Sequence, residues 1–118
     1  MNLVIDIGNS RIKLSVFNRG DVMFTVPLDE ITPESIQMLK DEHPSLNKAI
    51  LSTTKYVSAE LINYLTDNFD TFIELDAETP LPIQNLYETK ETLGKDRLAA
   101  VVGAFDLYPN TNVLVIDA

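Results

Sequence analysis

Three consecutive β-strand patterns open the chain. The apolar run Leu3–Ile7, interrupted by a single carboxylate, is typical of a strand that is buried on both faces. After a Gly-Asn turn, apolar and polar residues alternate over Ile12–Val16, which predicts a half-buried second strand. A further turn leads into Val22–Val26, where we expect a third strand that Pro27 ends. Because tight turns join them, the three strands should pair antiparallel.

Helix and strand patterns alternate in the rest of the chain. This order after an antiparallel meander predicts an α/β domain with a mixed sheet and helices on its faces. With 118 residues and no linker-like segment, one domain is expected over residues 1–118. The predicted elements are a helix capped by Thr32 that ends near Glu42, a strand at Lys48–Ser52, a helix capped by Ser58, a strand at Thr71–Leu75, a surface loop at Asp76–Leu93, a packed helix from Lys95 that Pro109 ends, and a strand at Val113–Ile116.

Composition narrows the function classes. The chain has no cysteine, which excludes thiol redox chemistry, zinc fingers and a disulfide framework. It carries 9 Lys and Arg against 18 Asp and Glu, a net charge of −9 that disfavours nucleic-acid binding. The longest apolar stretch, Leu98–Phe105, is too short to cross a membrane, and Met1–Gly8 lacks the basic start of a secretory signal. We expect a cytoplasmic protein with no nucleic-acid or membrane partner, which binds anions through backbone amides, a few cations or a bound metal.

The first candidate site follows the first strand. Asp6 ends a buried strand, and the turn after it contains Gly8 and Ser10, so a carboxylate, a hydroxyl and exposed backbone N–H groups meet at one sheet edge. Those groups suit a magnesium-bound phosphate chain, and Arg11 and Lys13 add positive charge. The alternative is a plain hairpin with a solvated aspartate, although an aspartate in an apolar strand is costly to bury without a partner.

The second candidate site lies where a loop enters the last predicted helix. Asp96 either caps that helix or complements its dipole at the N-terminus, or it acts as a general base. Arg97 offers a two-pronged donor for a carboxylate or phosphate, and Gly94 lets a ligand approach the backbone closely.

Three weaker signals complete the survey. The tetrapeptide Leu3–Asp6 recurs as Leu114–Asp117, which suggests duplication and makes Asp117 either an equivalent of Asp6 or a strand end without a role. The segment Ser52–Thr54 is either a polar ligand loop or an ordinary connection. The single histidine, His43, is assigned to solvent.

Three motifs resemble those of the type III pantothenate kinases, also called the Bvg accessory factor family, within the acetate kinase, sugar kinase, Hsp70 and actin superfamily. Asp6–Lys13, read as D-x-G-N-S-x-x-K, is similar to the first phosphate motif of that family. Asn85 and Tyr87 followed by Leu93–Arg97 resemble its pantothenate-binding segment, and Val115–Ala118 resembles the opening of its second phosphate motif.

The resemblance implies a ribonuclease H-like, actin-like ATPase domain that forms the N-terminal half of a duplicated two-domain kinase, with ATP between the domains. The implied reaction transfers the γ-phosphoryl group of ATP to pantothenate, giving 4'-phosphopantothenate in the first step of coenzyme A biosynthesis. The implied cofactors are magnesium and a monovalent cation, potassium or ammonium, and the implied assembly is a homodimer. Because the second domain and the Gly-Thr expected after Ala118 are absent from the sequence, we expect the 118-residue chain alone to be inactive.

The resemblance also implies roles for individual residues. Asp96 is the implied proton acceptor, and Asp117 the implied ligand of the monovalent cation. Lys90 stands where the family usually has proline, which we expect to loosen the substrate loop. The implied ATP-phosphate residues are Asp6, Ile7, Gly8, Asn9, Ser10, Arg11 and Lys13, with Asp6 near magnesium, and the implied pantothenate residues are Tyr87, Gly94, Lys95, Asp96 and Arg97.

Two other function classes remain open at this point. One is a regulatory or binding module that keeps the ribonuclease H-like shell without catalysis. The other is a nuclease in which Asp6, Asp96 and Asp117 form a two-metal cluster, although the motif context disfavours it.

Overall fold

The computed structural model describes residues 1–116 and forms two compact units, Met1–Leu75 and a second one that begins at Asp76. The expectation of a single domain over the whole chain stays a prediction. The elements are β1 (Asn2–Ile7), β2 (Ile12–Asn18), β3 (Asp21–Leu28), α1 (Pro33–Glu42), β4 (Lys48–Thr53), α2 (Ala59–Asn68), β5 (Thr71–Glu74), a 3-10 turn (Lys90–Thr92) and α3 (Lys95–Leu107).

The first unit is built on a five-stranded sheet with the strand order β3-β2-β1-β4-β5. β1 pairs antiparallel with β2 and β2 with β3, whereas β4 lies parallel to β1 and β5 parallel to β4. α1 precedes β4 and α2 precedes β5, so a helix makes each crossover to a parallel strand. The predicted α/β class, with a mixed sheet that starts with three antiparallel strands, is confirmed.

One face of this sheet carries the core. Alternate side chains of β1, from Leu3 to Ile7, are buried in one cluster with Ile36 of α1 and Leu65 of α2. The intervening residues, Val4 and Asp6, are only half-buried. The prediction that the first strand is buried on both faces is therefore wrong in part, because the two helices of this unit both pack into the core on one side.

Both predicted helix starts in this unit are confirmed. The Thr32 hydroxyl accepts a hydrogen bond from the Ser35 N–H at 3.2 Å, and the Ser35 hydroxyl in turn accepts one from the Thr32 N–H at 3.1 Å. The Ser58 hydroxyl accepts from the Leu61 N–H at 3.3 Å. These local bonds satisfy N–H groups that the first helical turn cannot pair.

Two predictions in this unit need correction. β3 does not end before Pro27 but continues to Leu28, with Pro27 opposite Lys13 of β2. It can do so because β3 is an edge strand, and an edge strand needs ladder hydrogen bonds on one side only. His43 is half-buried rather than solvated, with its ring centroid 5.5 Å from that of Phe24, because the end of α1 lies against β3.

The second unit contains the predicted loop and the predicted third helix, with Leu98 buried. The prediction that α3 is packed along its apolar face is only partly right, because Val101 and Phe105 are 42% and 43% exposed. The prediction of a strand at Val113–Ile116 is wrong within the described residues 1–116. These four residues pair with no strand of that range, and their side chains are all exposed. No helix in residues 1–116 is both long and apolar enough to span a bilayer.

Candidate functional site

The turn between β1 and β2 is tight, with the backbone of Gly8 close to that of Arg11. The Gly8 N–H donates to the Arg11 carbonyl at 2.9 Å, and a Cβ on Gly8 would lie 3.3 Å from that oxygen. The residues at the tip of this turn, Asn9 and Ser10, are exposed together with Arg11. Glycine therefore fits the tight end of the turn, and the backbone at its tip is open to a ligand.

Asp6 lies between two polar residues on neighbouring strands. Strand register places it opposite Lys13 of β2 and opposite Ser52 of β4. Residues that pair directly across strands point to the same face, so a carboxylate, an ammonium and a hydroxyl share the sheet face opposite the core. Lys13 is exposed, and its position opposite Asp6 puts a positively charged residue on the strand next to this half-buried aspartate.

The end of β4 is fastened to the end of β1. The Thr54 N–H donates to the Ile7 carbonyl at 3.1 Å, and the Thr54 hydroxyl reaches the same oxygen at 3.4 Å. The Thr53 hydroxyl donates to the Lys55 carbonyl at 2.8 Å and accepts from the Lys55 N–H at 3.0 Å. Because β1 and β4 are parallel, their C-terminal ends meet at one edge, where α/β proteins bind ligands.

This arrangement brings the predicted phosphate residues together in one hairpin and adds a residue that sequence reasoning left open. By sequence, the segment Ser52–Thr54 fits a ligand loop and an ordinary connection equally well, and the structure places Ser52 opposite Asp6 in the strand register. Ser52 could be predicted as a site residue only by pairing the first and fourth strands in parallel, which places it opposite Asp6.

The residues at this edge also fit a magnesium ion. Mg²⁺ prefers oxygen ligands and is usually held by one or two carboxylates, while waters and phosphate oxygens fill its other coordination positions. Within residues 1–116, no group of three or more His, Cys, Asp or Glu side chains is placed to hold a metal. One carboxylate, Asp6, therefore suits an ion that arrives with its phosphates.

The second unit contains a cavity of about 290 Å³. Its wall is mainly apolar and carries a few polar side chains, the usual lining of a small-molecule site. The Asn85 side-chain oxygen accepts a hydrogen bond from the Tyr87 N–H at 3.0 Å and so fixes the backbone at Tyr87. The lining residues are Ile83, Gln84, Asn85, Leu86, Tyr87, Leu93, Arg97, Leu98 and Val101.

The remaining predicted substrate residues form the start of α3. Gly94 is the N-cap residue, and its carbonyl accepts from the Leu98 N–H at 3.1 Å. A Cβ on Gly94 would collide with Oδ1 of Asp96, so the aspartate side chain occupies the space that this glycine leaves. Asp96 is exposed and does not cap the helix, although its charge still complements the helix N-terminus.

Asp76, at the start of the second unit, has an altered acidity. A hydrogen bond from the Thr79 hydroxyl and another from the Glu78 N–H lower the pKa of its carboxyl group, and the charge of Lys95 acts in the same direction. These bonds close a small turn at the beginning of the irregular segment.

The predicted substrate residues lie at two places in the second unit. Tyr87 and Arg97 line the cavity, whereas Gly94, Lys95 and Asp96 lie at the helix start next to Arg97 in sequence. The predicted monovalent-cation ligand, Asp117, lies outside the described residues.

Comparisons with known proteins point to one family. The model of the type III pantothenate kinase family matches residues 2–118. A type III pantothenate kinase of Phocaeicola vulgatus is 42% identical over 118 residues, which cover 100% of this chain and 48% of that protein. Those of Bacteroides fragilis and Christiangramia forsetii are each 40% identical, again over 100% of this chain and over 48% and 49% of theirs. The chain thus spans about half the length of these curated relatives.

A solved structure is also similar. It is a Bacteroides thetaiotaomicron protein described as having an actin-like ATPase fold and unknown function, with a TM-score of 0.46 and 15% sequence identity. The match covers 63% of this chain and 32% of the other.

Proposed function

Because the chain belongs to the type III pantothenate kinase family, we propose that it supplies the phosphate-binding and pantothenate-binding parts of an enzyme that converts pantothenate to 4'-phosphopantothenate with ATP. The observation that carries this proposal is the register that sets Asp6 between Lys13 and Ser52 beside an open glycine turn. Phosphoryl transfer needs mainly alignment and charge stabilisation, and this edge offers both.

The phosphates of ATP are assigned to the first unit. The tip of the turn offers backbone N–H groups, and Arg11 and Lys13 offer positive charge in a chain whose net charge is −9. Such local donors are needed because the overall charge repels an anion. Asp6 would hold a Mg²⁺ ion or its water ligands, and the ion would add further charge neutralisation. The assigned set is Asp6, Ile7, Gly8, Asn9, Ser10, Arg11 and Lys13.

Pantothenate is assigned to the cavity of the second unit. Its branched, apolar middle suits the aliphatic wall, and its carboxylate suits the guanidinium of Arg97, which can bind a carboxylate through two parallel hydrogen bonds. Asn85 and Tyr87 add polar groups for its amide and hydroxyls. A mainly apolar pocket with a few convergent polar groups is what binding a small, partly polar acid requires.

Asp96 is assigned as the proton acceptor. The primary hydroxyl oxygen of pantothenate forms a bond to the γ-phosphorus of ATP, and the bond from that phosphorus to the β,γ-bridging oxygen breaks, which releases ADP. The hydroxyl proton passes to a carboxylate oxygen of Asp96. The exposed side chain of Asp96 supports this role, because a general base must reach the hydroxyl directly.

Other parts of the proposal rest on family membership alone. They are a monovalent cation, potassium or ammonium, at Asp117, a homodimer, and a cytoplasmic location. A monovalent cation would add positive charge near the phosphates of ATP.

The test is an assay of the full-length gene product for pantothenate-dependent release of ADP, with the phosphorylated product identified by mass spectrometry. We expect Asp96→Asn to lower kcat by about 10²- to 10⁴-fold, because the amide cannot accept the proton, while MgATP still binds. Asp106→Asn, the same change farther along α3, serves as the matched control and should leave kcat unchanged.

Near-normal turnover of the Asp96→Asn variant would remove Asp96 as the base. A wild-type protein that binds ATP without phosphorylating pantothenate would instead favour the non-catalytic module.

A further inference from the structure

The end of β4 carries a hydroxyl that the phosphate assignments above do not use. Ser52 pairs directly with Asp6 in the parallel register, on the side of β1 opposite to Lys13. Adjacent strands lie about 4.8 Å apart, so the three side chains form a short row across the sheet. Ser52 is half-buried, like Asp6.

The next two residues along the chain, Thr53 and Thr54, are already hydrogen-bonded within the protein. The Thr53 hydroxyl donates to the Lys55 carbonyl, and the Thr54 hydroxyl donates to the Ile7 carbonyl at the end of β1. The Ser52 hydroxyl takes no part in these contacts. Every buried side-chain polar atom in residues 1–116 has a hydrogen-bond partner, so an unpaired hydroxyl here is one that solvent or a ligand can reach.

The chemistry of this row suggests that the Ser52 hydroxyl binds an anion and is not a second metal ligand. The row already contains one carboxylate, Asp6, and one ammonium, Lys13, and a hydroxyl next to Asp6 can donate a hydrogen bond without adding negative charge. A carboxylate at the same place would repel a phosphate group.

We propose that the Ser52 hydroxyl donates a hydrogen bond to a phosphate oxygen of the magnesium–nucleotide complex held at Asp6 and Lys13. Ser52 is then a further phosphate-binding residue, contributed by the strand after α1 rather than by the turn itself. This inference rests on the proposed function, because that function is what brings a nucleotide to this edge.

The experiment measures MgATP binding to the full-length gene product by isothermal titration calorimetry. Ser52→Ala should weaken binding about tenfold, because a hydrogen bond to a charged phosphate is lost. Ser52→Thr keeps the hydroxyl on a β-branched strand residue and should stay within about threefold of wild type. Thermal melting without ligand shows that each variant is folded.

Ser15→Ala is the matched control. It makes the same chemical change on the same face of the sheet, two residues along β2 from Lys13, where the Ser15 hydroxyl is bonded to that of Thr25 at 2.8 Å. It should leave MgATP binding unchanged.

A Ser52→Ala variant that binds MgATP within twofold of wild type would overturn the inference, as would equal weakening by Ser15→Ala. A wild-type protein that binds no MgATP would overturn this inference and the proposed function together. If wild type binds MgATP without phosphorylating pantothenate, and Ser52→Ala weakens that binding, the proposed function fails and the assignment of Ser52 stands.

Discussion

The two candidate sites rest on different kinds of structure. In the unit Met1–Leu75 the candidate phosphate site lies at the end of a sheet with a fully buried core. The cavity of the second unit is lined by an irregular segment and one helix. The first unit fixes its polar side chains by strand register, with Leu3, Ile5 and Leu51 fully buried beneath them. In residues 76–116, Leu98 is the only buried hydrophobic side chain.

The difference shows two ways of holding a site. A paired strand end cannot move without breaking ladder hydrogen bonds and exposing core, so the phosphate site is preorganised. A loop that contributes little to a core opens at low free-energy cost. We therefore expect the cavity to be the more adaptable of the two.

The largest expected effect on stability comes from removing a buried leucine side chain in the first unit, compared with an exposed one in the second. Leu51→Ala, in the middle of β4, should lower the free energy of unfolding of the full-length gene product by about 2–5 kcal/mol, because it leaves a cavity in a packed core. Leu107→Ala is the same change at an exposed side chain of α3 and should cost less than about 0.5 kcal/mol. Urea unfolding measures both, and equal losses would remove the contrast between the units.

Alanine substitutions at two glycines should have smaller effects on stability, with opposite signs. Gly8→Ala brings a Cβ to 3.3 Å from the Arg11 carbonyl, so it should destabilise the turn by about 1 kcal/mol and weaken MgATP binding. Gly103→Ala meets nothing within 4 Å in the middle of α3 and should stabilise that helix by up to about 1 kcal/mol. Thermal melts and MgATP titrations check both variants. Stabilisation by Gly8→Ala with unchanged MgATP binding would show that the turn is not under this constraint.

The smallest effect concerns the pH dependence of the turn at Asp76. Because hydrogen bonds from Thr79 and Glu78 lower the pKa of Asp76 in the folded state, the ionised form stabilises the turn above the unfolded-state pKa. That contribution is lost as the pH falls through the folded-state pKa. NMR titration of the Glu78 and Thr79 amides should give a midpoint below the ordinary aspartate value, and Asp76→Asn should abolish it. A midpoint at or above that value would contradict the hydrogen-bonded turn.

How far the sequence predicts this protein depends on whether the determining contacts are local. The Thr32 and Ser58 caps are predictable because each hydroxyl bonds to an N–H three residues ahead. The end of β3 is not, since Pro27 is tolerated only because β3 lies at the sheet edge, which no nearby residue reveals. The strand expected at Val113–Ile116 is an apolar pattern that finds no partner in the described residues.

The candidate site divides in the same way. The motif Asp6–Lys13 is one continuous hairpin. Its residues come together through the antiparallel pairing of β1 and β2, which is local and is predicted by the sequence. Ser52 reaches Asp6 only through the parallel register of β1 and β4, which depends on packing across the whole sheet. The motif identifies Asp96 and Arg97 from sequence, whereas Gln84 and Val101 enter the cavity wall only once the irregular segment is folded.

The assignment of the phosphates to the first unit and of pantothenate to the second is tested most directly by a pair of binding measurements on the full-length gene product. MgATP and pantothenate are each titrated alone into wild type, Lys13→Ala and Arg97→Ala. We predict that Lys13→Ala weakens MgATP binding about tenfold or more and leaves pantothenate binding within twofold, and that Arg97→Ala does the reverse. Equal loss of both ligands in both variants, or the opposite pairing, would contradict the assignment.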